Sequence, residues 1–247
     1  MRRATTLLIA AVALVSIVAA GLIAVGCGSG GSGSVPSDSV ATVGGVAVSK
    51  TDFQQLLTQA QTQMKAQGMN VPKEGTPSYD HYAAQIVNFL VQEQIVAQSA
   101  KQLGVQVTDK EVNDQLAQLQ KAYGGEAKVQ ALLKSQGMTL DLLKRSIRSQ
   151  TLSSRAAVVI TKKATVSDAE IQAYWNAHKT QLAKVKKTAT LAKAKTTIQQ
   201  TLLSAKQQQL WAAWIAARSK ALGVAYASGY DPATLTASPV ASASPVG

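Results

Sequence analysis

Cys27 has the most pointed chemistry in this chain. It is the one cysteine among 247 residues, so no disulfide can close within the chain. It follows Leu22-Ile23-Ala24-Val25-Gly26 and precedes a Gly/Ser run that starts at Gly28. A thiol placed directly after a small residue, at the end of an apolar stretch, suits lipidation of an exported protein. Upstream lie Arg2 and Arg3, then an apolar run from Leu7 to Val25 interrupted by Ser16 and Gly21. That order reads as a lipoprotein signal peptide over residues 1–27, with Cys27 as the lipidated residue. Two other readings stay open. A run of about 20 apolar residues is long enough for an uncleaved membrane helix. An ordinary secretory signal would have a shorter core and an Ala-x-Ala-like cut site. Ala24 departs from the Leu more common three residues before such a cysteine.

Other reactive groups are sparse. Nucleophilic catalysis needs a Ser or Cys beside a placed base, yet His81 and His178 stand far apart with no motif around them. No His/Asp/Glu cluster has metal-ligand spacing, and no phosphate loop is present, so the sequence implies no cofactor and no catalytic residue. Asp109/Glu111 and Asp168/Glu170 are paired carboxylates. Each pair follows a Thr or Ser in the first turn of a helix, where it serves the cap and the helix dipole. A lysine group (Lys184, Lys186, Lys187, Lys193, Lys195) either solvates a helix start or faces an anionic lipid or wall polymer.

The formal net charge is +12, and setting Arg2 and Arg3 aside leaves 23 basic against 13 acidic residues, a net of +10. Nucleic acid is the usual partner for such a balance. Export argues against it, and so does the lack of aromatic residues interleaved with the lysines. Low aromatic content (4%) with abundant Ala and Gln favours helices. Residues 28–39 read as a flexible linker, 40–230 as the folded domain, and 231–247 as a disordered tail with no charge after Asp231.

The elements follow from local signals. Val40–Val48 predicts a β-hairpin turning at Gly44-Gly45. Ser49 caps a helix carrying Phe53, Leu56, Leu57 and Ala60. Pro72, Gly75 and Pro77 mark a loop over 69–77, and a long helix runs from Ser78 to Leu103. Thr108-Asp109-Lys110-Glu111 and Ser167-Asp168-Ala169-Glu170 are capping boxes. A closing helix over about 190–222 carries Trp211 and Trp214, which burial against the first helices would explain. Val224-Ala225-Tyr226 predicts a last strand, able to pair with the hairpin.

These landmarks resemble those of SurA-like and PrsA-like foldases. Residues Ala41–Phe53 look like the family's strand–turn–strand–helix opening. Gly104–Val112 and Val166–Trp175 look like the second and third landmarks, and Trp211–Tyr230 like the closing helix and strand. The resemblance implies a mainly α chaperone module of the SurA N-terminal kind. A short two- to three-stranded β element joins its two ends, and an arm spans about 108–160. It also implies an open cradle lined with apolar side chains. In the family a parvulin-type isomerase domain follows the third landmark. Here the stretch after His178 is too short and too Lys/Thr/Ala-rich for one.

The implied function is an ATP-independent, lipid-anchored chaperone on the outer face of the cell membrane. Its partners would be unfolded or nascent exported polypeptides, without nucleic acid. Residual prolyl isomerisation is one alternative. A basic structural lipoprotein gripping wall polymer or anionic lipid is another. Candidate peptide contacts are the flexible thioethers of Met64, Met69 and Met138, with Tyr82, Phe89 and Trp175; each also fits a core position.

Overall fold

The computed structural model describes residues 35–185 and 190–236. The segment read from sequence as a lipoprotein signal, with Cys27, and the lysines at 186 and 187 lie outside them. Among the described residues the chain is mainly helical with one three-stranded antiparallel sheet.

Strand β1 (Ser39–Val43) turns at Gly44-Gly45 into β2 (Val46–Ser49). Both glycines adopt positive φ, 55° and 79°, which the tight hairpin demands. Ser49 caps α1 (Lys50–Ala66), its hydroxyl accepting from the Thr51 N–H at 3.0 Å. The long helix α2 spans Pro77–Leu103. Sequence reading placed Pro77 in the preceding loop. It opens the helix instead, because the first helical position needs no N–H, and Thr76 supplies the cap. Gly104 ends α2 in the left-handed region at φ 66°.

The Thr108 capping box forms as predicted and starts α3 (Asp109–Ala122). Helices α4 (Glu126–Ser135) and α5 (Leu140–Thr161) follow, and the Thr139 hydroxyl accepts from the Leu142 N–H at the start of α5. The Ser167 box opens α6 (Asp168–Val185). The closing helix α7 covers Leu191–Leu222. Strand β3 (Val224–Tyr226) then pairs antiparallel with β1, so the sheet order is β2-β1-β3. The N- and C-terminal segments of the described domain are thereby joined, as expected of a last strand at Val224–Tyr226 able to pair with the hairpin.

Two boundaries move. Ser39, assigned to the linker, is a buried strand residue. Pro232–Thr236, assigned to a disordered tail, forms a short helix α8. Asp231 caps it, accepting from the Ala233 N–H at 2.9 Å.

The chain divides into two units. Unit 1 holds the described residues up to Ala156 and those from Arg218 onward; unit 2 is Ala157–Ala217. The core of unit 1 is the apolar face of α2 (Ile86, Val87, Leu90, Val91, Ile95, Val96) with Val40, Ala41 and Val43 of β1 and Phe53 of α1. The arm has its own cluster, in which Leu116, Val129, Leu133, Met138, Leu142 and Leu143 are buried together. In unit 2, Ile171 of α6 and Ile198 of α7 are buried. Trp211 and Trp214 are only partly buried and stack on each other with centroids 5.7 Å apart.

Candidate functional site

The residues proposed for peptide contact separate into distinct environments. On α2, Phe89 is 40% exposed although its neighbours Ile86, Val87 and Leu90 are buried. Tyr82 lies two turns earlier, about 10 Å along the axis on the same side. It is half-buried, and burial pushes its hydroxyl pKa up. Met64 is half-buried in the last turn of α1, and Met69 in the loop after it is 49% exposed. These four belong to unit 1.

Met138 does not join them. It is buried in the arm cluster among Leu116, Val129 and Leu133, because Gly137 turns the chain and drops the thioether between α3, α4 and α5. It is a packing residue. Trp175 is half-buried in unit 2, on α6.

An aromatic seam ties the C-terminal segment to the start of the module. Tyr230 meets Phe53 edge-on at 5.3 Å, and the Lys50 ammonium sits 5.6 Å from the Tyr230 ring. Burial raises the pKa of Tyr79 nearby, with Glu74, Tyr230 and Asp80 adding to it.

Two open surface depressions are lined mainly by residues with polar side chains. One runs along α1, lined by Lys50, Thr51, Gln54, Gln55 and Thr58; another lies on α7, lined by Thr197, Gln200, Thr201, Ser204, Ala205 and Gln208. The resemblance implied a concavity lined with apolar side chains. The exposed apolar residues Val46, Met69, Phe89, Val158, Val159 and Leu210 line neither depression. Sequence reading missed Val46, Val158 and Val159. Apolar periodicity marks them as core, and their exposure is set by which faces the fold leaves uncovered.

Both histidines and the two capping-box glutamates have structural partners. His81 Nε2 lies 3.0 Å from Gln85 Nε2, and His178 Nδ1 is 2.8 Å from the Tyr174 carbonyl with its ring stacked on Tyr174. Glu111 accepts from Arg155 and from the Thr108 N–H and hydroxyl, which together pull its carboxyl down to about 2. Glu170 is likewise held at about 2 by Lys206 first and then by Ser167. Both carboxylates serve caps, as the capping-box reading predicted, and each also takes an ion pair that no local spacing marks. Among the described residues no group of three or more His, Cys, Asp or Glu could hold a metal, and no helix is long and apolar enough to cross a membrane.

The family model described as the SurA-like N-terminal domain matches residues 1–157. The chain belongs to that family.

This SurA-like chain is 29% identical to chaperone SurA of Saccharophagus degradans over 140 residues, covering 56% of the chain and 31% of that protein. It is 28% identical to foldase protein PrsA of Clostridium botulinum over 149 residues, 56% of the chain and 44% of that protein. Chaperone SurA of Burkholderia pseudomallei is 32% identical over 111 residues, 44% of the chain and 25% of that protein. The chain thus spans less than half the length of these curated relatives. No solved structure matches it. The SurA-like match contains the first two landmarks of the resemblance; those at Val166–Trp175 and Trp211–Tyr230 lie beyond residue 157.

Proposed function

We propose that this chain is a membrane-anchored chaperone, acting outside the cytoplasm, that holds unfolded exported polypeptides without ATP. The observation that carries the reading is apolar exposure on a SurA-like module: Phe89 at 40% and Met69 at 49%. Tyr82 and Met64, half-buried nearby in sequence, extend the apolar contacts of unit 1. Burial of such surface is worth roughly 25 cal/mol per Å². A client is then held by many weak contacts and released without a nucleotide. Family relatives carrying the names chaperone SurA and foldase PrsA support the same role. Lipidation at Cys27 supplies the anchor in this reading. More than one acyl chain would be needed for stable attachment.

The reading is of holding rather than isomerising. Helix α6 ends at Val185 and α7 begins at Leu191. A catalytic domain needs on the order of 50 residues or more, so none is inserted between them. The test is aggregation of an unfolded client protein with and without the chain, beside a protease-coupled prolyl isomerisation assay. Suppressed aggregation without isomerisation is the expected result. Isomerisation at enzymatic rates, or no suppression, would sink the proposal.

A further inference from the structure

Unit 2 has a charge imbalance for which client holding provides no use. Residues 157–217 contain nine lysines against two acids, Asp168 and Glu170, a net of +7, and no further acid occurs before Asp231. Both acids are already engaged, Asp168 with Lys195 at 2.9 Å and Glu170 with Lys206 at 2.6 Å. The unit therefore presents a field of one sign.

At the end of α5 that charge adjoins apolar surface. Val158 is 70% exposed and Val159 44%. Lys162 and Lys163 follow directly after the last residue of α5, both exposed. Among the described residues neither takes part in an ion pair. Two β-branched side chains in water, with two uncompensated ammonium groups one helical turn further on, form an amphipathic corner.

We propose that this Val158-Val159/Lys162-Lys163 corner docks on an anionic lipid bilayer. The corner's composition selects that partner over two others. A soluble polyanion would match the lysines and leave the valines in water. An unfolded polypeptide would cover the valines and supply no excess of negative charge. The headgroup region of an anionic bilayer accepts both, apolar side chains at the acyl boundary and lysines at the phosphates. The inference rests on the membrane-proximal placement proposed above. It adds a second contact beside the lipid anchor, one that ties unit 2 to the membrane surface.

The test uses the full chain with an environment-sensitive fluorescent amino acid at position 158, a site exposed enough to accept it. The chain is bound to vesicles of phosphatidylcholine alone or mixed with phosphatidylglycerol, and a lipid-borne quencher reports contact. Quenching and a blue shift are expected only in the anionic vesicles, and both should fade at high salt. Each lysine near an anionic surface is worth about a fivefold change in binding, so K162E/K163E should lower the docked-to-free ratio by at least about 25-fold. Equal emission in the two vesicle types overturns the proposal. So does an equal shift produced without vesicles by polyphosphate or by an unfolded client, because the corner then serves that partner. Client holding is measured separately, without lipid, so its failure and the failure of docking are told apart.

Discussion

The Arg145 guanidinium donates to the Asp52 carboxylate at 2.7 Å, joining α5 of the arm to α1 across 93 residues of sequence. The same guanidinium reaches Gln55 Oε1 at 3.4 Å. The pair stands between the separate arm cluster and the rest of unit 1, so it bears on how firmly the arm is held. Its side chains are 47% and 28% exposed. An ion pair this wet contributes under about 1 kcal/mol. R145A and D52N should therefore change Tm little, with a double-mutant coupling below about 1 kcal/mol, while amide exchange speeds up in the first turns of α5. Unchanged exchange there would show that apolar contacts alone hold the arm.

Glu93 of α2 lies beside this pair. Burial is the largest influence on it and raises its pKa; a hydrogen bond to Ser149 and the Arg145 charge work downward, and Asp52 works upward. A carboxyl whose pKa is higher in the folded state favours folding while it is protonated. That contribution is complete below the unfolded value and is lost as pH rises through the folded one. E93Q keeps the neutral shape at every pH. It should raise stability at neutral pH and flatten the stability profile across the acid range, measured by denaturant unfolding at a series of pH values.

The capping boxes titrate the other way. Glu111 and Glu170 are each held at about 2, by Arg155 and Lys206 first. Their contribution is present above the ordinary carboxylate range and disappears as pH falls from about 4.5 towards about 2. Helices α3 and α6 should lose their first turns in that window, visible as amide exchange confined to those segments. T108A removes the cap itself at any pH and should cost about 1 kcal/mol. A loss spread evenly over all helices would contradict this local account.

Gly44 and Gly45 differ despite sharing the turn. A side chain at either must enter the left-handed region, at a cost of about 1–2 kcal/mol. At Gly45 a Cβ meets nothing within 4 Å; at Gly44 it would fall 2.7 Å from Gln98 Oε1. Gln98 also donates to the Val43 carbonyl at 2.6 Å, so displacing it leaves that strand oxygen without its donor. G44A should be clearly more destabilising than G45A in urea unfolding. Equal losses would mean that Gln98 moves freely.

These relationships mark the limit of what the sequence makes legible. Gly44-Gly45, Ser49, Thr108 and Ser167 act on backbone within three residues of themselves, so their spacing alone predicted hairpin and caps. The pairing of Val224–Tyr226 with β1 was legible because a lone short strand must find an edge. Asp231-Pro232 carried a signal for α8, a capping acid before a proline at the first helical position, hidden by the low complexity around it. Gln98–Val43, helix to strand, and Arg145–Asp52, helix to helix, depend on how distant elements pack and have no local mark. The same holds for which apolar residues end up outside. Phe89 and Met138 look alike in an amphipathic pattern, and only the packing of the arm buries one while the other stays in water.

That contrast gives the sharpest test of function. Met138 has 8% of its surface exposed and Phe89 has 40%. Truncating a buried methionine removes contacts on every side, so M138A should cost about 2–5 kcal/mol and unfold the arm at a lower denaturant concentration. Phe89 has part of its ring in water, so F89S should cost much less. If Phe89 holds clients, F89S will weaken aggregation suppression several-fold with Tm nearly unchanged, and F89S/M69S further still. Measuring both properties on the same preparations separates binding from folding. Loss of suppression that tracks Tm across all variants would assign Phe89 to the fold and remove it from the client surface.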